Sequence, residues 1–272
     1  MKDDNMKLLQ VEGLTKHFPA GSGMWGKAGE PVRAVEDVSF DIAEGEVLGL
    51  VGESGSGKST IGRLILRLIE PTAGKVLFKG QNIFEADKNQ LRELRRQMQI
   101  VFQDPYGAFN PRMTVGNILG EALHLRGLRN RQERDNEARH LLEMVQMPTT
   151  ILGRYPHEFS GGQRQRIGIA RALAVQPSFI VADEAVSALD VSTQAEIINL
   201  LLDLQSQLNL TMLFISHDLS VVKVLCDRIA VLSKGRLVEL EDSAALFADP
   251  KQEYTRELLS AIPVPDPQLA RR

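Results

Sequence analysis

At 272 residues, with 43% apolar and 25% charged side chains, the chain has material for one large or two small domains and a substantial core. A net charge of −3 gives no basic footprint for nucleic acid, and the single cysteine, Cys226, excludes internal disulfides and a cysteine-ligated cluster. No run approaches the ~18 apolar residues of a membrane-spanning helix, and the opening Met-Lys-Asp-Asp-Asn lacks the apolar region of a secretory signal, so a cytosolic chain is expected.

In chain order, the apolar patterning predicts strands at Leu8–Val11 and Ala34–Phe40, separated by a Gly-rich surface loop, Pro19–Ala28, that carries Met24 and Trp25. A strand at Val47–Val51 leads into a helix over Lys58–Ile69, followed by a strand at Val76–Phe78, a helix at Gln90–Arg96 and a strand at Gln99–Phe102. Between Pro111 and His157 no strand-like run occurs; helices are predicted at Val115–Leu125 and Arg131–Val145. Further helices (Gly161–Ala174, Thr193–Leu208, Leu219–Leu225) alternate with strands at Phe179–Ala182, Met212–Ser216, Ile229–Leu232 and Arg236–Leu240. Such alternation predicts an α/β fold with an all-helical insertion. Internal repeats are absent, and Cys226 reads as a small buried hydrophobe.

Gly52-Glu53-Ser54-Gly55-Ser56-Gly57-Lys58-Ser59 fits G-x-x-x-x-G-K-[ST] between a strand and a helix, the context that marks a phosphate-binding P-loop. Glycines let backbone N–H groups converge on phosphate oxygens without a clashing Cβ, and the helix N-terminus adds partial positive charge. Lys58 is placed for the β- and γ-phosphates of ATP and Ser59 for Mg²⁺. Downstream, the apolar run Phe179–Ala182 ends in Asp183-Glu184. Asp183 would hold Mg²⁺ through its water shell, and Glu184, just outside the strand, would polarise the attacking water as general base. The four histidines His17, His124, His140 and His157 fit no motif, and no zinc-binding spacing occurs.

Phe159-Ser160-Gly161-Gly162-Gln163-Arg164-Gln165-Arg166 resembles the signature sequence of the ABC ATPases. Physically it is a second phosphate-facing helix start: Ser160 is N-cap-like, two glycines expose N–H groups, and Arg164 and Arg166 add positive potential. The resemblance spans about residues 7–265. It implies a P-loop NTPase core with the ABC-type antiparallel β subdomain and an inserted all-helical subdomain. One nucleotide-binding domain, 1–272, is expected, with its core at about 7–105 and 160–240, the helical part at about 106–159 and a C-terminal extension at about 241–272.

The resemblance also assigns roles. Residues Gly52, Glu53, Ser54, Gly55, Ser56, Gly57, Lys58, Ser59 and Thr60 would bind nucleotide, with Phe18 stacking on adenine. Gln103 matches the glutamine that senses Mg²⁺ and the attacking water, so Ser59, Gln103 and Asp183 form the implied metal set. His217 matches the switch histidine on the γ-phosphate, and Ser187-Ala188-Leu189-Asp190 the loop, with Asp190, that bridges two subunits. Ser160, Gly161, Gly162 and Gln163 would act in trans, so a composite site with a second ABC ATPase, homo- or heterodimeric, is implied.

Within the family the chain is similar to the oligopeptide/dipeptide importer branch through Val101–Tyr106 and Asn110–Val115, Arg154–Phe159, and the tail Tyr254–Pro263. Exporters carry a Glu-rich segment where this chain reads Ile151–His157. Two departures stand out: Ala185 replaces the proline usual after the glutamate, a change worth ~0.4–1 kcal/mol, and Gly107-Ala108-Phe109 replaces Ala-Ser-Leu. The branch implies two transmembrane permease subunits, received near Gln103–Arg112 with Tyr106 and Phe109 as apolar contacts. It further implies an extracytoplasmic substrate-binding protein and a peripheral place on the cytoplasmic face of the inner membrane. A nickel or other small-solute importer is the alternative cargo reading. A soluble ABC ATPase outside transport is the alternative class; the tandem ATPase units or long coiled coils of such proteins are absent from this sequence.

Overall fold

The computed structural model describes residues 7–19 and 30–260; Met24 and Trp25 of the predicted surface loop and the tail beyond Ser260 lie outside them. Two sheets organise the chain. The first, antiparallel, has the order β2-β1-β4-β5, from β1 (Lys7–Phe18), β2 (Val32–Ala43), β4 (Ala73–Phe78) and the short β5 (Gln81–Asn82). The second has the order β10-β9-β3-β8-β7-β6, from β3 (Val47–Val51), β6 (Met98–Phe102), β7 (Phe179–Asp183), β8 (Thr211–Ile215), β9 (Arg228–Ser233) and β10 (Arg236–Asp242). It is parallel from β9 to β6, with β10 antiparallel at its edge.

The central strands are buried on both faces, so period two sorts their side chains into two cores. Leu48, Leu50, Val181, Leu213 and Ile215 pack with the antiparallel sheet and with Ile61, Leu64 and Ile65 of α1 (Lys58–Ile65). Val47, Val51, Ile180, Met212 and Phe214 face the other helices. These are α3 (Val115–Arg126), α4 (Arg131–Met144), α5 (Gly161–Leu173), α6 (Val191–Leu208) and α7 (Leu219–Leu225). As predicted, Cys226 is buried in this second core, and burial pushes its thiol far up.

Helix α2 (Lys88–Gln97) starts with a reciprocal capping box between Asp87 and Gln90, and α3 with Thr114 accepting from the Asn117 N–H. Between α2 and α5 the described residues hold β6 and then only helical turns, α3 and α4, in agreement with the strandless stretch read from the sequence. The predicted helix to Ile69 stops instead at Ile65. Arg67 adopts φ 46°, and its guanidinium donates to the Ile83 and Ala86 carbonyls at 2.9 and 2.7 Å. Apolar periodicity continued past that point, but these tertiary bonds end the helix. β1 runs seven residues past its predicted end, with register shifts around Gly13 that break the alternation.

The C-terminal part contains two elements that the sequence reading left undivided, α8 (Ser243–Ala248) and α9 (Glu253–Ser260). The second is tied down by one carboxylate. Glu239, buried in β10, accepts from the Lys251 and Gln252 N–H groups at 2.8 and 3.2 Å and from the Thr255 hydroxyl. Burial acts to raise its pKa, but the hydrogen bonds from Thr255, Lys251 and Gln252, with the Lys251 charge, hold it below the ordinary carboxylate range.

Candidate functional site

Strand register assembles the site. Leu50 and Asp183 both pair with Ile215, and Phe102 pairs with Asp183. The residues that follow these strands therefore leave one edge of the sheet together: the loop after Val51, Gln103 after Phe102, Glu184 after Asp183, and His217 two residues after Ile215. This is the carboxyl edge of a parallel sheet, where α/β folds bind ligands.

The loop Gly52–Gly57 is shaped for backbone approach. Gly52 sits at φ 149°, where a Cβ would lie 2.1 Å from the Leu232 carbonyl oxygen; Gly57 sits at φ 106°, where it would lie 2.2 Å from that of Ala34. Gly57 caps α1 without a side-chain bond, so the first-turn N–H groups keep no capping partner, and the buried Ser56 Oγ has none either. An anion with several acceptor oxygens fits this donor set. Lys58, 4% exposed, donates to the Gly52 and Glu53 carbonyls, both at 2.7 Å. Burial lowers the Lys58 pKa, and Glu184, Asp183 and Glu53 act to raise it.

Ser59 Oγ donates to Asp183 Oδ1 at 2.8 Å, joining the P-loop helix to the end of β7. Asp183 is buried, which pushes its carboxyl above the ordinary range against the pull of Ser59, Arg63 and Lys58, while Glu184 raises it further. A hydroxyl and a buried carboxylate side by side are the hard oxygen donors a divalent cation takes, and the exposed Gln103 amide leaves the neighbouring strand. Glu184 holds a left-handed backbone, φ 49°, an uncommon state for a side chain of its size. Its N–H donates to the Ile215 carbonyl at 3.0 Å, and Ser187 Oγ donates to its carbonyl at 3.0 Å. The His217 Nδ1 lies 3.4 Å from Glu184 Oε1. Ser187, read from the sequence only as the first residue of the bridging loop, thus also holds the Glu184 carbonyl, a bond that depends on that backbone twist.

The remaining residues singled out in the sequence make the following contacts. Phe18 ends β1 on the antiparallel sheet, 37% exposed, with the Lys16 ammonium 5.1 Å from its ring centroid. Ser160 and Gln163 do not reach the P-loop by any bond among the described residues; they form a capping box with each other at the start of α5. Arg166 is not a free positive charge: it is buried, donating to the Val145 carbonyl and Gln146 at 3.0 Å each and pairing with Glu196 at 3.2 Å. Burial forced these bonds, since an unpaired guanidinium in the core would be costly. Phe109 is not an exposed apolar contact either. It is 5% exposed, with the Arg171 guanidinium 5.2 Å over its ring and donating to the Ala108 carbonyl at 2.8 Å. The side chain of Tyr106 lies outside the described residues.

Asp190 is the N-cap of α6, accepting from Ser192 Oγ at 2.6 Å, from Thr193 N–H at 3.0 Å and from Thr193 Oγ1 at 2.8 Å. Those bonds lower its pKa to about 2. Thr193 also explains a signature glycine: a Cβ on Gly162 would lie 2.2 Å from Thr193 Cγ2. Gly162→Ala should therefore cost about 1–3 kcal/mol through overpacking. Thr193→Ser, which removes that methyl and keeps the cap, should recover most of the loss in urea unfolding; a G162A variant as stable as the parent would refute the packing account.

The sequence profile described as ABC transporter matches residues 35–187. The oligopeptide transport ATP-binding protein OppF of Bacillus subtilis is 53% identical over 267 residues, 97% of this chain and 85% of that protein. The glutathione import ATP-binding protein GsiA of Salmonella paratyphi A is 51% identical over 96% of this chain, which spans 42% of that protein. Among solved structures, cbiO1 from Clostridium perfringens, part of the ABC transporter complex cbiONQ, superposes with a TM-score of 0.75 at 25% identity, covering 94% of this chain and 96% of that one. The dimeric ATP-binding cassette MJ0796, in a post-hydrolysis state with ADP and Pi, matches at 32% identity and a TM-score of 0.75 over 86% of this chain and 98% of that one.

Proposed function

Because this chain belongs to the ABC transporter family, we propose that its ATP hydrolysis energises the import of peptides through membrane subunits made of other chains. The observation that carries the reading is the Ser59–Asp183 bond, which brings a P-loop helix and an acid-ended strand to one sheet edge, with Glu184 and His217 beside them. Peptide as cargo rests on the relatives, which are named for oligopeptide and glutathione.

In this reading Lys58 leaves the Gly52 and Glu53 carbonyls for the β- and γ-phosphates. The N–H groups of Gly55–Thr60 and the Ser56 hydroxyl cradle the remaining oxygens, and Phe18 stacks on adenine. Ser59, Asp183 and Gln103 hold Mg²⁺, which would neutralise charge on the phosphates. Glu184 accepts the proton of the attacking water, and His217 donates to the γ-phosphate. Ser160–Gln163 and Asp190 serve the site of a partner ATPase.

The chain needs partners for transport, since no helix among the described residues is long and apolar enough to cross a membrane. A groove of about 950 Å³ between α2 and α3, with Phe109 in its wall, offers a seat for a short helix of a permease subunit. Two such subunits, a second ATPase and an extracytoplasmic binding protein complete the proposed assembly, with this chain peripheral on the cytoplasmic face of the inner membrane.

The dimeric state of MJ0796 supports a composite site, as does the mutual capping of Ser160 and Gln163 away from their own P-loop. ATPase activity per molecule of the isolated chain should therefore fall on dilution, since the active species is a dimer. A specific activity that stays flat over a hundredfold dilution, with light scattering showing only monomer, would sink it.

A further inference from the structure

Far from the P-loop in sequence, α9 brings one hydroxyl to it. The Glu53 N–H donates to Tyr254 Oη at 3.3 Å. The bond is notable for the peptide unit it holds. The Gly52–Glu53 amide has its carbonyl occupied by Lys58 Nζ at 2.7 Å and its N–H occupied by Tyr254, so one peptide plane is gripped from both ends. Aligned in this way, ammonium, amide and hydroxyl polarise one another.

Tyr254 does not reach the loop by chance placement of a frayed terminus. Its ring packs against the core on the helical side of the sheet, together with Leu258 and Leu259 of the same helix. One residue on, Thr255 is fully buried and bonded to Glu239. The turn before α9 is closed by Arg256, which donates to the Pro250 and Lys251 carbonyls at 3.0 and 2.8 Å, and by the Lys251–Glu241 pair. The segment Pro250–Ser260 is therefore a strap, pinned at β10 and touching the phosphate loop through Tyr254.

We infer that Tyr254 is a positioning residue for nucleotide binding, holding the Gly52–Glu53 peptide in place when Lys58 leaves its carbonyl for a phosphate. This rests on the reading of Lys58 as the phosphate ligand. Without the hydroxyl, the glycine-hinged peptide is free on both sides once the lysine departs, and ATP binding must order it. With the hydroxyl, that ordering is already present in the free protein. The coupling is reciprocal, so bound ATP must in turn steady α9.

The test is Tyr254→Phe in the full chain, a change that keeps the ring and its packing and removes only the acceptor. KM and Kd for MgATP should rise about three- to tenfold, the worth of one hydrogen bond, with kcat changed less than twofold and thermal unfolding lowered by no more than about a few degrees. In the parent protein, MgATP should slow amide hydrogen exchange over Glu253–Ser260, and this slowing should be lost in Y254F. Unaltered Kd and KM in Y254F, with the α9 protection retained, would overturn the inference. Lys58→Ala run alongside separates the two readings. If K58A loses ATP while Y254F binds as the parent does, the strap has no positioning role and the P-loop reading stands. If K58A binds ATP as tightly as the parent, the site reading itself fails and the inference falls with it.

Discussion

Replacing Glu184 with glutamine should leave ATP bound but lower its turnover by ~10²–10⁴-fold, the usual worth of a general base. Glutamine keeps the length and the hydrogen-bonding end of the side chain and cannot take a proton. Its backbone environment is held independently of the carboxylate, by the Ile215 carbonyl on the N–H and by Ser187 on the carbonyl, so the left-handed turn should survive. What the variant loses is the carboxylate charge beside His217, whose Nδ1 lies 3.4 Å from Glu184 Oε1. Phosphate release under saturating MgATP measures the effect, and nucleotide binding on the same preparation controls for it. Hydrolysis at near the parental rate would assign the base to another residue.

Lys58→Ala should act on binding instead. A charge-assisted hydrogen bond is worth ~1.5–3 kcal/mol, so loss of the phosphate contact should weaken MgATP by about ten- to a hundredfold or more. The free protein also loses something, because Lys58 ties the Gly52 and Glu53 carbonyls while ATP is absent. Part of the lysine's interaction energy is thus present before binding, and the measured change is the difference between two sets of partners. Calorimetric titration with MgATP reads it; an affinity within twofold of the parent would remove Lys58 from the site.

Much of the site was legible because its chemistry follows strand ends in linear order. Val51 to Gly52, Ala182 to Glu184 and Ile215 to His217 each read as an apolar run that stops at a polar motif. Burial on both faces made the central strands easy to find for the same reason. Illegible features depend on what meets across the fold. Arg166 reads as a source of positive potential in the sequence, yet the Val145 carbonyl and Gln146, just past the end of α4, and Glu196 of α6 converge on it. The resemblance makes Phe109 an apolar contact for a membrane subunit, whereas it is buried with the Arg171 guanidinium of α5 over its ring. The eight residues of α9 carry too few apolar positions to announce a helix, and their anchor, Glu239, looks from sequence like a solvated strand residue. The left-handed state of Glu184 leaves no trace in residue type at all.

The parallel sheet, with odd and even side chains sent to different cores, divides the mutational freedom of the chain. A change of volume at Val181 or Leu213 is felt by α1 and the antiparallel sheet, and so by the base of the P-loop. A change at Ile180 or Phe214 is felt by the helices beyond, one of which, α3, walls the groove proposed for a membrane subunit. Drift in one layer need not be answered in the other. A lineage could therefore refit its helical side to a new membrane partner while the packing beneath the nucleotide loop stays as it was.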